Sequence, residues 1–254
     1  VIQQPLQLER LGLTLRGTAY LPAASRRFPA VLLLHGITGQ RIGNGFMFVQ
    51  LARALNKQGL AAVAFDFLHS GESDGSFDQM LVTGELDDAL RMTQWLQGQP
   101  FADRSRLGIL GFSLGGLVAA CTVSRTDAYH ALALIAPTTV DNICRFAAGR
   151  NNTDASNPVV LGPHTLSPAF FDDVRSLDPL SDCIHHPRPT LIVQGTADTI
   201  VPPAGSQTYA DRLQHAGIPL THALVTDGDH PFTRPQPRQQ LIDHTVRFFA
   251  AHLR

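Results

Sequence analysis

Charge is scarce in this chain and nearly balanced. Asp, Glu, Lys and Arg supply 16% of its 254 residues, with 20 basic against 21 acidic side chains and a net charge of -1. Soluble domains carry about 25%, and without a basic excess a nucleic-acid partner is not expected. Cysteine is scarcer: Cys121, Cys144 and Cys183 are irregularly spaced and none belongs to a CxxC pair, so neither a disulfide framework nor a cysteine zinc site is indicated. A reducing, cytoplasmic compartment is expected, with secretion after loss of a leader left open because numbering starts at Val1. Long apolar runs are missing too. The longest, such as Ala30 to Leu34 and Ala131 to Ala136, fall far short of the roughly 20 residues that span a bilayer. Apolar content is an ordinary 44%, enough for a substantial core and too much for a disordered chain.

What is present is a rhythm. Short Val-, Leu-, Ile- and Ala-rich runs (Ala30 to Leu34, Ala61 to Phe67, Leu107 to Leu110, Ala131 to Ile135, Thr190 to Val193, His222 to Val225) alternate with segments of helical spacing. The runs lack strict polar alternation, as strands buried on both faces do, so an α/β fold with a mostly parallel sheet covered by helices on both faces is expected. Leu6 to Leu8 and Leu13 to Tyr20 read as two antiparallel edge strands turning near Gly12. Apolar stripes at Phe48, Leu51, Ala52 and Leu55, at Val82, Leu86, Ala89, Leu90, Thr93 and Leu96, and at Leu241, Thr245, Phe248, Phe249 and His252 read as core faces of helices. Residues 138–189 break the rhythm: about 50 residues separate two strands where far fewer are usual, and such insertions are often functional lids. Helical pieces are expected inside it at 142–148 and 167–174. The whole chain, 1–254, then reads as a single domain of eight strands with a cap inserted between the sixth and seventh.

Gly111-Phe112-Ser113-Leu114-Gly115-Gly116 follows one strand run and precedes the helical run from Leu117 to Val123. A GxSxG arises by chance roughly 0.1 times in such a chain, so the match gains its weight from this strand-turn-helix setting. There the turn forces strained dihedrals on Ser113 and lifts its hydroxyl above the sheet's carboxyl edge, at a helix N-terminus that favours developing negative charge. A serine hydroxyl needs a base, and the base needs a carboxylate to orient it. Asp227-Gly228-Asp229-His230-Pro231 follows the last strand run and offers His230. The turn after the preceding strand, Gly195-Thr196-Ala197-Asp198, offers Asp198, with Asp227 and Asp229 as rivals. Backbone N–H groups of Leu114, after the nucleophile, and Ile37, in the His35-Gly36-Ile37-Thr38-Gly39 loop, are the expected oxyanion donors. His35 itself reads as a residue that holds its loop.

These motifs, with Phe65-Asp66-Phe67 and Gly71-Glu72-Ser73-Asp74-Gly75, resemble those of the α/β-hydrolase superfamily in order and spacing, across nearly the whole chain. Within it the chain is most similar to the small cinnamoyl (feruloyl) esterases, which join a GxSDG stretch to a cap inserted before the acid. The resemblance implies a carboxylic ester hydrolase acting on a small-molecule ester through an acyl-enzyme, with Ser113 as nucleophile, His230 as base and Asp198 as acid, and no cofactor or metal. Ser113 argues against dehalogenases and epoxide hydrolases, which place Asp there, and against dienelactone hydrolases, which use Cys. Those esterases usually carry His before the nucleophile and Gln after it, where this chain has Phe112 and Leu114. Asp66 reads as structural, bonding its loop through Ser73. Phe146, Leu166, Phe170 and Phe171 in the insert either wall an acyl pocket or form the cap's own core. Two rivals remain: a serine peptidase of the same fold, with Asp172 and Asp173 holding a substrate amine, and a non-catalytic ligand receptor. His164, His185 and His186 lack metal-ligand spacing and read as surface residues.

Overall fold

The computed structural model describes residues 1–23, 27–148 and 158–253. In chain order the main elements are β1 (Ile2–Arg10), β2 (Leu13–Leu21), β3 (Phe28–Leu34), α1 (Met47–Lys57), β4 (Ala61–Phe65), α2 (Val82–Gln97), β5 (Ala102–Phe112), α3 (Leu114–Val123) and β6 (Tyr129–Ile135). There follow α4 (Val140–Ala148), β7 (Val159–Leu161), β8 (His164–Leu166), α5 (Pro168–Arg175), α6 (Pro179–Asp182), β9 (Thr190–Gly195), α7 (Pro203–His215), β10 (Leu220–Val225) and α8 (Pro235–His252). Eight strands make one sheet in the order β1-β2-β4-β3-β5-β6-β9-β10, parallel from β4 onward. This is the eight-stranded α/β-hydrolase architecture.

β1 and β2 are joined by Leu11 and Gly12, at φ 55° and 76°. Positive φ at both central residues matches the right-handed twist of a two-residue hairpin. Only one of the two is an edge, because β2 also pairs antiparallel with β4. Leu15, Ala19 and Tyr20 are buried along β2, so the strand belongs to the sheet interior and β1 alone faces outward.

The expected helix stripes lie where the sequence places them. α1 and α8 pack on one face of the sheet, α2, α3 and α7 on the other. α3 is buried along its full length, as suits a helix that is apolar all round. Two stripe residues lie outside the core: Leu90 is half-buried, and His252 is exposed, resting on Phe248 at a ring separation of 4.8 Å while Leu253 beside it is buried against the sheet. The inner face of α2 also carries two buried acids that an apolar stripe does not reveal. Asp88 accepts from Arg10 and from Leu68 N–H at 2.8 Å, while burial, aided by Asp88 and Asp173, pushes Glu85 well above the carboxylate range.

Between β6 and β9 the chain leaves the sheet to form α4, the β7–β8 hairpin, α5 and α6. α4 and α5 occupy the two expected helical pieces. Asp173 of α5 accepts from Thr83 N–H at 3.0 Å and Thr83 Oγ1 at 2.5 Å, tying the insert to the first turn of α2.

His186, expected at the surface, is instead 4% exposed, and its Nε2 has no hydrogen-bond partner among the described residues. Burial moves this imidazole from the ordinary 6.5 down to about 4. The unfolded chain therefore binds a proton that the folded chain refuses, and stability falls as pH drops from 6.5 toward 4. The loss amounts to about 3 kcal/mol in all. Thermal melts at pH 7 and pH 4.5 are expected to differ less for His186→Leu than for the parent; equal acid sensitivity refutes the assignment.

Candidate active site

β5 runs into α3 through a single residue, Ser113, at φ 57° and ψ −118°. A non-glycine residue in that region stores about 1–3 kcal/mol of strain, which its surroundings must over-determine. Ser113 N–H donates to Ile135 C=O at 2.9 Å, and its C=O accepts from Gly116 and Thr138 N–H at 3.0 and 3.2 Å. The flanking glycines are required by approach. A Cβ at Gly111 would overlap the Gly115 carbonyl, and one at Gly115 would overlap the carbonyls of Leu34 and His35. The hydroxyl so presented is 3.0 Å from His230 Nε2.

β10 leads to the histidine. The loop after it turns through Asp227 and Phe232 at φ 57° and 50°. The buried Arg238 of α8 fastens it, donating to the Pro231 and Phe232 carbonyls at 2.7 and 2.8 Å. His230 Nδ1 lies 2.7 Å from Asp198 Oδ2. With an ionised carboxylate there, Nδ1 carries the proton, and the Nε2 lone pair is left to accept from Ser113 Oγ–H. Phe112 packs its ring on the imidazole, centroids 4.9 Å apart. The residue that departs from the esterase pattern thus walls one face of the His230 ring.

Asp198 sits in the turn after β9, 4% exposed. Oδ1 accepts from Ile200 and Val201 N–H, both at 2.9 Å, and Oδ2 accepts from Gln194 Nε2 at 3.1 Å besides His230. The rival acids are engaged elsewhere: Asp229 accepts from Thr233 N–H and Oγ1 at 2.7 and 2.6 Å, and Asp227 lies 3.9 Å from Arg234.

Ile37 and Leu114 both border the cavity above Ser113, and neither N–H has an acceptor among the described residues. His35 is buried, its Nδ1 2.8 Å from Gly36 C=O while its Nε2 accepts from Phe67 N–H at 3.1 Å. Burial lowers its basicity, so it is a neutral brace for the loop, as expected. Asp66 is held differently from the expectation. Ser73 Oγ donates at 2.7 Å to the Asp66 main-chain carbonyl, whereas the carboxylate takes Arg41 N–H and guanidinium and Glu72 N–H. Sequence spacing found the partner Ser73 but not Arg41, which lies 25 residues away.

Ser113 and His230 open onto a cavity of about 520 Å³. Phe146, Leu166, Phe170 and Phe171 all line it, although Phe170 is also fully buried in the core. His164 lines it as well, stacked on Phe77 with centroids 4.4 Å apart. No carboxylate lines it among the described residues. Asp172 is 83% exposed beside Arg175, and Asp173 is spent on Thr83. Neither can hold a substrate amine there, because helix α5 turns its phenylalanines, not its acids, to the cavity.

The model of the prolyl oligopeptidase family matches residues 46–254. An uncharacterized 31.7 kDa protein of Escherichia coli, from a traX-finO intergenic region, is 31% identical over 42% of this chain and 35% of its own length. Dipeptidyl aminopeptidase BIII of Pseudoxanthomonas mexicana is 25% identical over 87% of this chain and 33% of its own. The chain thus aligns with about a third of the length of these relatives. Among solved structures, Est1E from Butyrivibrio proteoclasticus with ferulic acid bound superposes with a TM-score of 0.86 at 18% identity, covering 97% of this chain and 98% of that one. No helix among the described residues is long and apolar enough to cross a membrane.

Proposed function

The chain belongs to the prolyl oligopeptidase family of α/β hydrolases, and on that premise we propose that it cleaves carboxylic esters of small or aromatic acids through a Ser113-His230-Asp198 triad. The observation that carries this reading is the continuous contact from Asp198 through His230 to Ser113 at 2.7 and 3.0 Å, ending at a cavity with apolar walls.

In the proposed mechanism His230 Nε2 takes the Ser113 proton as Oγ attacks the ester carbonyl. The N–H groups of Ile37 and Leu114 receive the oxyanion, and the imidazolium returns its proton to the departing alcohol. Water then attacks the acyl-enzyme by the same route, releasing the acid and restoring Ser113. Asp198 stabilises the imidazolium without taking its proton. Every step uses groups of this chain and water, so a chelator is expected to leave the rate unchanged. The domain is then the whole of 1–254, with 138–189 as the cap that supplies Phe146, Leu166, Phe170 and Phe171 to the acyl side of the substrate.

A second reading, a serine peptidase, is favoured by the family match itself and would use the same triad. An aminopeptidase must find a counter-charge for a substrate ammonium, and an unpaired buried charge is costly. Methyl 3-phenylpropanoate and phenylalanine methyl ester differ by that ammonium alone. The neutral ester is expected to have the higher kcat/KM, on the order of 100-fold; a preference for the amino ester favours the peptidase. Absence of turnover on these two, on p-nitrophenyl esters and on methyl ferulate favours a non-catalytic receptor.

A further inference from the structure

Gln194 is the last side chain of β9 before the glycine that opens the acid's turn, and it is fully buried. Its Nε2 lies 3.1 Å from Asp198 Oδ2, 3.2 Å from the Val201 carbonyl and 3.3 Å from the Gly195 carbonyl. All three are acceptors, so the amide has one tenable orientation; flipped, its oxygen would face three other oxygens. In that orientation Oε1 is buried with no partner among the described residues. An orphaned buried carbonyl destabilises a fold, and an apolar side chain of the same length would avoid it. What the amide contributes is therefore its donor side.

With it the carboxylate of Asp198 is saturated. Oδ1 takes two backbone N–H groups, and Oδ2 is shared between Gln194 and His230. A carboxylate accepts about four hydrogen bonds, and each one given to the charged form favours that form. Gln194 also fixes rotation: its bonds to the Gly195 and Val201 carbonyls clamp both ends of the turn that carries Asp198.

We infer that Gln194 is a positioning residue of the triad, a side-chain donor that holds the Asp198 carboxylate turned toward His230. The inference rests on the serine-hydrolase reading above and adds a residue to it. Loss of this donor leaves the carboxylate free to rotate away from His230 Nδ1, so the imidazole is less often held with Nε2 toward Ser113. A glutamate at the same place tests the donor directly. In acid the two carboxyls share a proton and one still donates to the other, whereas in alkali both ionise and repel.

The test compares the parent with Gln194→Met and Gln194→Glu by kcat and KM on p-nitrophenyl acetate, by the rate of covalent capture by a fluorophosphonate from pH 5 to 10, and by thermal melts. For Gln194→Met, kcat and capture rate are expected to fall about ten-fold, as for a lost hydrogen bond to a charged group. KM is expected to hold. For Gln194→Glu, rates near the parent's in the acid range are expected to give way to an alkaline fall that the parent lacks. The inference is overturned if Gln194→Met changes only its melting temperature or its KM, or if Gln194→Glu keeps the parent's profile. If Gln194→Met does not fold, the profile of the near-isosteric Gln194→Glu decides alone. A parent that the fluorophosphonate fails to capture overturns the serine-hydrolase reading itself, an outcome separate from the others.

Discussion

Ser113→Ala is expected to lower kcat for ester hydrolysis about 10⁶-fold while the protein stays folded. The change removes one oxygen whose contact is His230 Nε2 at 3.0 Å. It leaves the bonds that hold the elbow, since Ser113 uses its backbone N–H and C=O for those. Alanine bears the same strain at φ 57° as serine does, because both carry a Cβ. The fold is therefore expected to melt near the parent temperature, and fluorophosphonate capture is expected to vanish. Residual rate above that of water comes from the two oxyanion donors, which the substitution does not touch. Steady-state kinetics on purified protein check this: a variant that retains even one part in a hundred of the parent kcat removes Ser113 from the nucleophile's role.

Asp198→Asn is expected to cost about 10⁴-fold in kcat, by analogy with the same change in a serine protease triad. The reason lies in the four donors around this carboxylate. An asparagine side chain has one acceptor oxygen, and the two backbone N–H groups of Ile200 and Val201 claim it. Its NH₂ then faces His230 Nδ1 and Gln194 Nε2, so two donors meet. His230 relieves the clash by moving its proton to Nε2, which turns a donor toward Ser113 and abolishes the base. The effect is expected in kcat, with KM little changed. Asp227→Asn and Asp229→Asn are the controls, since Arg234 and Thr233 occupy those side chains. A loss as large at either of them moves the acid away from Asp198.

The three residues of the proposed triad were legible because each is announced by its immediate neighbours. Gly111 and Gly115 mark a turn that no side chain can pass, and Asp198 and His230 stand in short polar turns directly after apolar strand runs. Gln194 was not legible, although it lies four residues from Asp198. A polar residue at the end of a buried strand carries no sequence signal that its amide faces a carboxylate. Arg41 and Arg238 carry no such signal for a related reason: their partners, Asp66 and the carbonyls at 231 and 232, belong to other loops. The direction of Asp172 and Asp173 was not legible either, because a helix turns residues two apart to different sides and only packing decides which side faces the cavity.

The order of strands and helices, the strained turn at Ser113 and the turns that carry Asp198 and His230 were all readable along the chain. Those depend on backbone constraints within a few residues: apolar periodicity, glycine where a Cβ does not fit, and turn residues after strands. The tertiary structure alone decided which side chains meet. The cavity draws its walls from positions as far apart as Gly36 and His230, and the 2.7 and 3.0 Å contacts from Asp198 to His230 and from His230 to Ser113 span separations of 32 and 117 residues. Contacts of that kind follow from strand register and from the direction in which each loop leaves the sheet, and neither is encoded locally.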